Sequence, residues 1–446
     1  MTDLFAARSQ MAMSLAFHIL FACAGIAMPA LMVLSERMWL KTRKEVYLDL
    51  TKRWARGTAI LFAIGAVSGT VLSFELGLLW PRFMKYAGAI IGMPFSLEGF
   101  AFFTEAIFLG LYLYGWDRLQ PKVHLLTGIL VAFSGMISGI FVVCANAWMN
   151  SPSGFELVNG EAVNIRPFAA MLNAAAFSQT LHMTIAAYLA TGVAVSGIHA
   201  WMLLKDSSNE FHRAALRIAL PMTIAAAFLQ PISGDISARS VAHRQPEKLA
   251  AMEGLFKTER GAPFHIGGIP DPKTETIPYS IAIPKLLSLM AYHDPNAEVR
   301  GLDEFPREDW PNTAVVHLAF QLMIGCGLLM LGVSAAALVL WWKKKALPTQ
   351  QRLLQAFVII SPLGFIAVEA GWFVTEVGRQ PWIIYRIMRT ADAVTPMPWL
   401  IVPFLTYSAI YLFLAVIVTM LLWWQVLSSP TMYKRPRGTA RSGGKE

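Results

Sequence analysis

The chain has 446 residues, 56% of them hydrophobic and only 15% charged, and its mean hydropathy is +0.51. Soluble globular chains carry roughly 45–50% apolar and about 25% charged residues, so this composition excludes a soluble enzyme with one large core and indicates many membrane spans. The net charge of +9 does not point to nucleic acid, because the basic residues gather at alternate ends of apolar stretches; they are a topology signal, and no nucleic-acid partner is expected.

Roughly 20 mostly apolar residues cross about 30 Å of hydrocarbon. Nine segments qualify: 13–36, 57–77, 94–115, 125–148, 180–204, 215–232, 313–342, 354–376 and 400–425. The expected fold is an all-α polytopic membrane protein of about nine transmembrane helices, with the N-terminus outside and the C-terminus inside. In that orientation the inner faces collect 21 of the 37 Lys and Arg, including Arg37, Lys41, Arg43, Lys44, Lys343, Lys344 and Lys345. Of the 14 Trp residues, 13 fall near span ends as an interfacial belt, and Trp372 alone lies within a span. The first apolar run lacks a small-residue cleavage site, so it reads as a retained helix rather than a signal peptide.

In chain order, residues 1–232 hold helices 1–6, with a moderate outer loop at 149–179. Residues 233–312 form an outer excursion of 80 residues, too polar and Pro-rich to span; loops of that length are functional or disordered. Residues 313–426 hold helices 7–9, and 427–446 form a basic cytoplasmic tail with Lys434, Arg435, Arg437, Arg441 and Lys445. No internal repeat is evident, which counts against an inverted-repeat transporter. Cys23, Cys144 and Cys326 fall inside spans without CxxC spacing and read as small buried apolar side chains.

Ionisable groups inside spans are costly and mark function. Here they are His18, Glu75, Glu98, Glu105, His182, His199, His317, Glu369 and Glu376. Glu98 and Glu105 are seven apart, about 700° of helical rotation, which places both on one face about 10 Å apart. Two such carboxylates suit a proton relay; the alternative is a pair of structural acids. His18, His182, Met323 and Glu376 all fall in the outer half. Singly, an intramembrane His is usually a packing residue and a Met core filler. In one layer, with Trp372 and an Arg nearby, they suggest haem. His182 and His199 share one helix, but no second helix repeats the spacing, so His/Met ligation of one haem fits better than two stacked bis-His haems.

Four strings resemble subunit I of the cytochrome bd quinol oxidases: FHILF around His18, EGFAFFTEAIFLGLYLYGWDRL at 98–119, CANAWMNSPSGF at 144–155 and VEAGWFVTEVGRQPW at 368–382. The resemblance covers most of the chain, including the helix count and the large loop after helix 6. It implies two b-type haems (one low-spin, one high-spin) and one haem d, with quinol as the substrate oxidised outside and O2 reduced to water. His182 and Met323 match the low-spin ligands. His18 and Glu376 match the ligands of the two high-spin haems, with the assignment between them open. Trp372 matches a tryptophan beside these haems, Arg379 is placed to neutralise a propionate, Glu98 and Glu105 match the family's acidic helix 3, and Ser138 and Asn146 on helix 4 match polar positions near the oxygen site.

The loop resembles the short type of quinol-binding Q-loop, in which Lys248 and Glu253 match the pair implicated in quinol oxidation. Without that resemblance, a Lys and a Glu five apart on a short helix are ordinary solvated charges. Gln321 departs from the Arg that many members carry near the low-spin haem, which bears on redox tuning and on membership of a cyanide-insensitive subgroup. The family implies a second polytopic subunit, in many members a small single-span one, surrounding membrane lipid, and a bacterial cytoplasmic (inner) membrane location. Protons taken from the cytoplasm would then build a proton motive force without pumping. The rival reading is a proton-coupled secondary transporter using the intramembrane Glu and His.

Overall fold

The computed structural model describes residues 2–427, so residues 428–446 of the expected basic tail lie outside the described residues. Helices dominate, and their ends follow local chemistry. In chain order they are α1 (Asp3–Thr42), α2 (Glu45–Leu79), α3 (Pro81–Tyr114), α4 (Pro121–Asn150), α5 (Pro167–Met171), α6 (Ala176–Lys205), α7 (Glu210–Arg244) and α8 (Pro246–Glu253). After these come α9 (Leu286–Tyr292), α10 (Thr313–Lys344), α11 (Gln351–Ile360), α12 (Leu363–Val377), α13 (Thr390–Ala393) and α14 (Ile401–Leu427). Proline opens α3, α4, α5 and α8, where its missing N–H costs nothing. Asn209 and Asn312 cap α7 and α10 by accepting from the first-turn amides.

Among the described residues nine helical spans are long and apolar enough to cross a membrane, as expected: α1–α4, α6, α7, α10, α11 with α12, and α14. They are longer than the sequence segments. The 40 residues of α1 extend about 60 Å, twice the hydrocarbon thickness, so the apolar run marks only the part inside lipid. The sixth span continues as helix to Arg244, twelve residues past its expected end. The eighth breaks at Ser361–Pro362.

The break has a packing role. A Cβ at Gly364 would lie 2.4 Å from Ala190 Cα, and one at Gly197 would lie 2.3 Å from Ser361 Cβ. The interrupted span and α6 therefore touch backbone to backbone, as small residues permit in membranes. The spans alternate in direction, so α2, α4, α7 and α12 end where α1, α3, α6, α10 and α14 begin. This end, called the loop end, also carries short antiparallel hairpins at 156–163 and 382–389. It is tied together by Tyr385 N donating to Met149 O, Thr395 N to Leu79 O and Leu400 N to Asp3 Oδ1.

The Gly364 contact is testable. Gly364→Ala should cost about 1–3 kcal/mol through overpacking, seen as a lower Tm of the purified protein in detergent. Gly332→Ala, with open space where the Cβ would go, should show no loss.

Candidate functional site

Two histidines are held in the same way by different helices. His18 on α1 places Nδ1 3.0 Å from Ser68 Oγ on α2, and His182 on α6 places Nδ1 3.0 Å from Ser233 Oγ on α7. Each serine donates its hydroxyl proton to its own helix, Ser68 to Ile64 O at 2.8 Å and Ser233 to Gln230 O at 2.9 Å. Each is thus left to accept from Nδ1–H, which leaves the Nε2 lone pair as the ring's acceptor. A glycine follows each serine, and the ring rests on it: a Cβ at Gly69 would lie 3.0 Å from His18 Cε1, and one at Gly234 would lie 3.6 Å from His182 Cε1. The Ser-Gly pairs 68–69 and 233–234 were not singled out in the sequence. At His182 the Gln230 amide nitrogen stands 3.2 Å from Nε2.

Met323 on α10 faces α12, where a Cβ at Gly371 would lie 3.0 Å from its sulfur. Glu376 ends α12 at the loop end. Its Oε1 accepts from Asn146 Nδ2 at 2.6 Å, and its Oε2 accepts from Arg379 Nη2 at 2.5 Å. Arg379 is 2% exposed, yet its Nε and Nη1 have no partner among the described residues. An apolar groove of about 390 Å³ opens between α1, α10 and α12, lined by Leu20, Leu322, Phe365, Ala370 and Phe373, with Glu369 as its one carboxylate. Its lining residues Leu20, Leu322 and Phe373 are close sequence neighbours of His18, Met323 and Trp372. Imidazole, thioether and carboxylate donors, apolar walls and unpaired buried guanidinium nitrogens are what haem and its propionates require. Among the described residues no three His, Cys, Asp or Glu converge as a bare metal site would need.

Glu98 and Glu105 do share one face, directed at α4. Ser138 Oγ donates to Glu98 Oε1 at 3.3 Å, and Glu105 packs on Gly135, where a Cβ would lie 3.0 Å from its carboxylate. The column continues in residues the sequence reading passed over. Tyr112, seven beyond Glu105, donates to Glu36 Oε2 at 2.7 Å, and His124 Nδ1 lies 2.8 Å from Glu36 Oε1. The signal was the repeat 98, 105, 112.

The loop pair departs most from ordinary expectation. Lys248 and Glu253 sit on α8, but neither is solvated: they are 3% and 2% exposed. Lys248 Nζ donates to Asn150 Oδ1 on α4 at 2.6 Å. Burial and the neighbouring Arg379 push its ammonium down to about 7, against an opposing pull from Glu376 and Glu247. Burial pushes the Glu253 carboxyl up to about 8, and its Oε2 has no partner among the described residues.

The helix is clamped on several sides. Tyr385 donates to Glu247 at 2.6 Å, and His317 Nδ1 on α10 donates to Met252 O at 2.8 Å. The apolar side of α8, with Leu249 and Met252, packs against Val316, Phe320 and Val374. Gln321, read from sequence as a redox-tuning position, is in this structure a loop anchor. It accepts from Gly267 N at 3.1 Å and donates to His265 O at 2.8 Å.

Fold and site together define a mainly helical, polytopic membrane protein with buried imidazole, thioether and carboxylate groups and a buried loop helix. The chain matches the family model for cytochrome bd terminal oxidase subunit I over residues 6–430, and it belongs to that family, the first subunits of bd-type quinol oxidases. It is 35% identical over 433 residues to a Bacillus subtilis (strain 168) protein provisionally named cytochrome bd menaquinol oxidase subunit I, covering 95% of this chain and 97% of that one. It is 33% identical over 411 residues to cytochrome bd ubiquinol oxidase subunit 1 of the same organism, covering 89% and 87%. The bd oxidase structure from Geobacillus thermodenitrificans superposes with a TM-score of 0.90 at 34% identity, over 96% of this chain and 99% of that one. Membership implies haem cofactors, a second subunit, and quinol and O2 as substrates.

The Gln321 anchor yields a direct test. Gln321→Ala removes two hydrogen bonds to the loop, and limited proteolysis should cut within 257–300 several-fold faster than in the parent, with cleavage elsewhere unchanged.

Proposed function

We propose that this chain oxidises quinol at the loop end and delivers the electrons to three haems held at that end of the bundle, where O2 is reduced to water. The observation that carries the reading is the burial of Lys248 and Glu253 against the very helices that present Met323 and Glu376. His182 and Met323 would hold a low-spin b haem, with Gln230 yielding Nε2. His18 and Glu376 would serve the high-spin b haem and haem d. When bound, these groups supply electron transfer and oxygen chemistry. The protein supplies the rest. The Ser-Gly cradles fix the imidazole tautomers, Arg379 would offer its free N–H groups to propionates, and Trp372 would pack beside the haems.

Glu253 is placed to take the quinol hydroxyl proton, and release at the loop end leaves it outside. Glu98, Glu105 and Ser138 would carry protons from the opposite end toward the haems. Charge is thereby separated across the bacterial cytoplasmic membrane without a pump, with the N-terminus outside. A second polytopic subunit completes the enzyme, joined in many members by a small single-span one. The transporter reading finds no support: one span is interrupted, and no second interrupted span pairs with it among the described residues.

Two outcomes test this reading. Purified protein should show low-spin and high-spin haem bands and a red-shifted chlorin band on reduction. Met323→Leu, which keeps volume but loses the thioether, should convert or abolish the low-spin signal; an unchanged low-spin spectrum refutes the ligand. The second test uses pH. The Glu253 carboxyl, raised to about 8, keeps its proton at pH 7 and loses it as pH climbs through about 8. As a proton acceptor it works ionised, so quinol oxidation should rise with pH along a limb near 8. Glu253→Gln should lose that limb and most quinol turnover while retaining oxidation of an artificial donor that bypasses the loop.

A further inference from the structure

Lys248 is 3% exposed and turned toward α4. Its ammonium enters the bundle, its stem lies against the backbone where a Cβ at Gly378 would come within 3.0 Å of Cγ, and Nζ donates to Asn150 Oδ1 at 2.6 Å. Asn150, itself 2% exposed, uses both ends of its amide. Oδ1 accepts from Lys248, while Nδ2 donates to Asn146 O at 3.0 Å and Asn146 Oδ1 at 3.2 Å. Asn146 in turn donates to Glu376 Oε1 at 2.6 Å. A continuous hydrogen-bonded chain therefore runs from the loop helix α8, through two asparagines one turn apart on α4, to the carboxylate that ends α12.

A buried ammonium is tolerated only while paired, so the asparagine oxygen is what lets Lys248 stay inside. Asparagine alone among residues of this size accepts at one end and donates at the other. α8 is held independently by Tyr385 and His317, so loss of this link reorients Lys248 without unfolding the loop.

We propose that Asn150 is a positioning residue for quinol oxidation: it holds Lys248 turned into the bundle and couples the seating of α8, and so of Glu253, to the orientation of Asn146 and Glu376. Lys248 on this account acts as a strut rather than as a quinol contact. The inference rests on the reading of the loop as the quinol site.

The test compares Asn150→Leu, which loses both ends of the amide, with Asn150→Asp, which keeps the acceptor for Lys248 and loses the donor to Asn146. Turnover per haem is measured with quinol and with an artificial donor, together with the high-spin absorption spectrum. Asn150→Leu should lower quinol turnover about tenfold or more, leave the artificial donor within about twofold, and shift the high-spin band. Asn150→Asp should recover most quinol turnover but retain the spectral shift. In quinol turnover the double variant Lys248→Ala with Asn150→Leu should be no worse than Lys248→Ala, because both break the link between Lys248 and Asn150.

Wild-type quinol turnover in Asn150→Leu, or additive losses in the double variant, overturns the proposal. If Asn150→Leu does not assemble, an unshifted high-spin band in Asn150→Asp overturns it. If Lys248→Ala alone leaves quinol oxidation intact, the loop reading falls and the strut with it; loss in Lys248→Ala beside a normal Asn150→Leu removes the strut alone.

Discussion

Hydrocarbon offers no hydrogen bonds, so every polar group that enters it must find a partner inside the protein. Most of the polar architecture described above follows from that constraint. His18 and His182 lie in helix seams, each against a serine that is already committed to its own backbone. Glu98 meets Ser138 across the α3–α4 seam, and Glu36 is closed in by Tyr112 and His124. Glycine recurs at these places because a polar side chain in a seam takes room that the neighbouring helix must give up. Gly69, Gly135 and Gly371 each stand where a Cβ would press on His18, Glu105 and Met323 in turn, and Gly234 lies in van der Waals reach of His182.

The same constraint governs the long excursion. A loop that merely covered the membrane surface would keep its charges in water. This one buries a lysine and a glutamate, with costs that make each change of charge unusually easy: the lysine moves down toward neutral pH and the glutamate up. Such tuning is the mark of groups that exchange protons near physiological pH. The tuning depends on the clamps from α4, α10 and the 382–389 hairpin, and those clamps hold the long loop against the helices that bear Met323 and Glu376.

Polar seams also explain how opposite ends of the bundle take part. Glu105 lies 24 residues beyond the start of α3 and Tyr112 a further seven, so the acidic column leads away from the loop end. Glu376 lies one residue from the loop end of its helix. Glu376 and the 105–112 stretch thus occupy different depths of one low-dielectric body.

Much of this was legible in the sequence. Composition and the twenty-residue apolar runs determined nine spans, because lipid imposes a length and a polarity that no tertiary contact can override. Heptad spacing determined that Glu98 and Glu105 share a face, since helical rotation is a local property. The family resemblance singled out His18, His182, Met323 and Glu376 as the candidate donors. Helix ends were misjudged where polar helix continues into water, as at Arg244, because hydropathy reports lipid contact and not helicity. Only the tertiary structure decided what lies across each seam: that Lys248 is buried rather than solvated, that Gln321 holds the loop, that Ser68 and Ser233 fix the histidines, and that Asn150 joins the loop to Glu376. These are contacts between residues 50 to more than 200 positions apart, and a one-dimensional pattern carries no term for the partner across a helix interface.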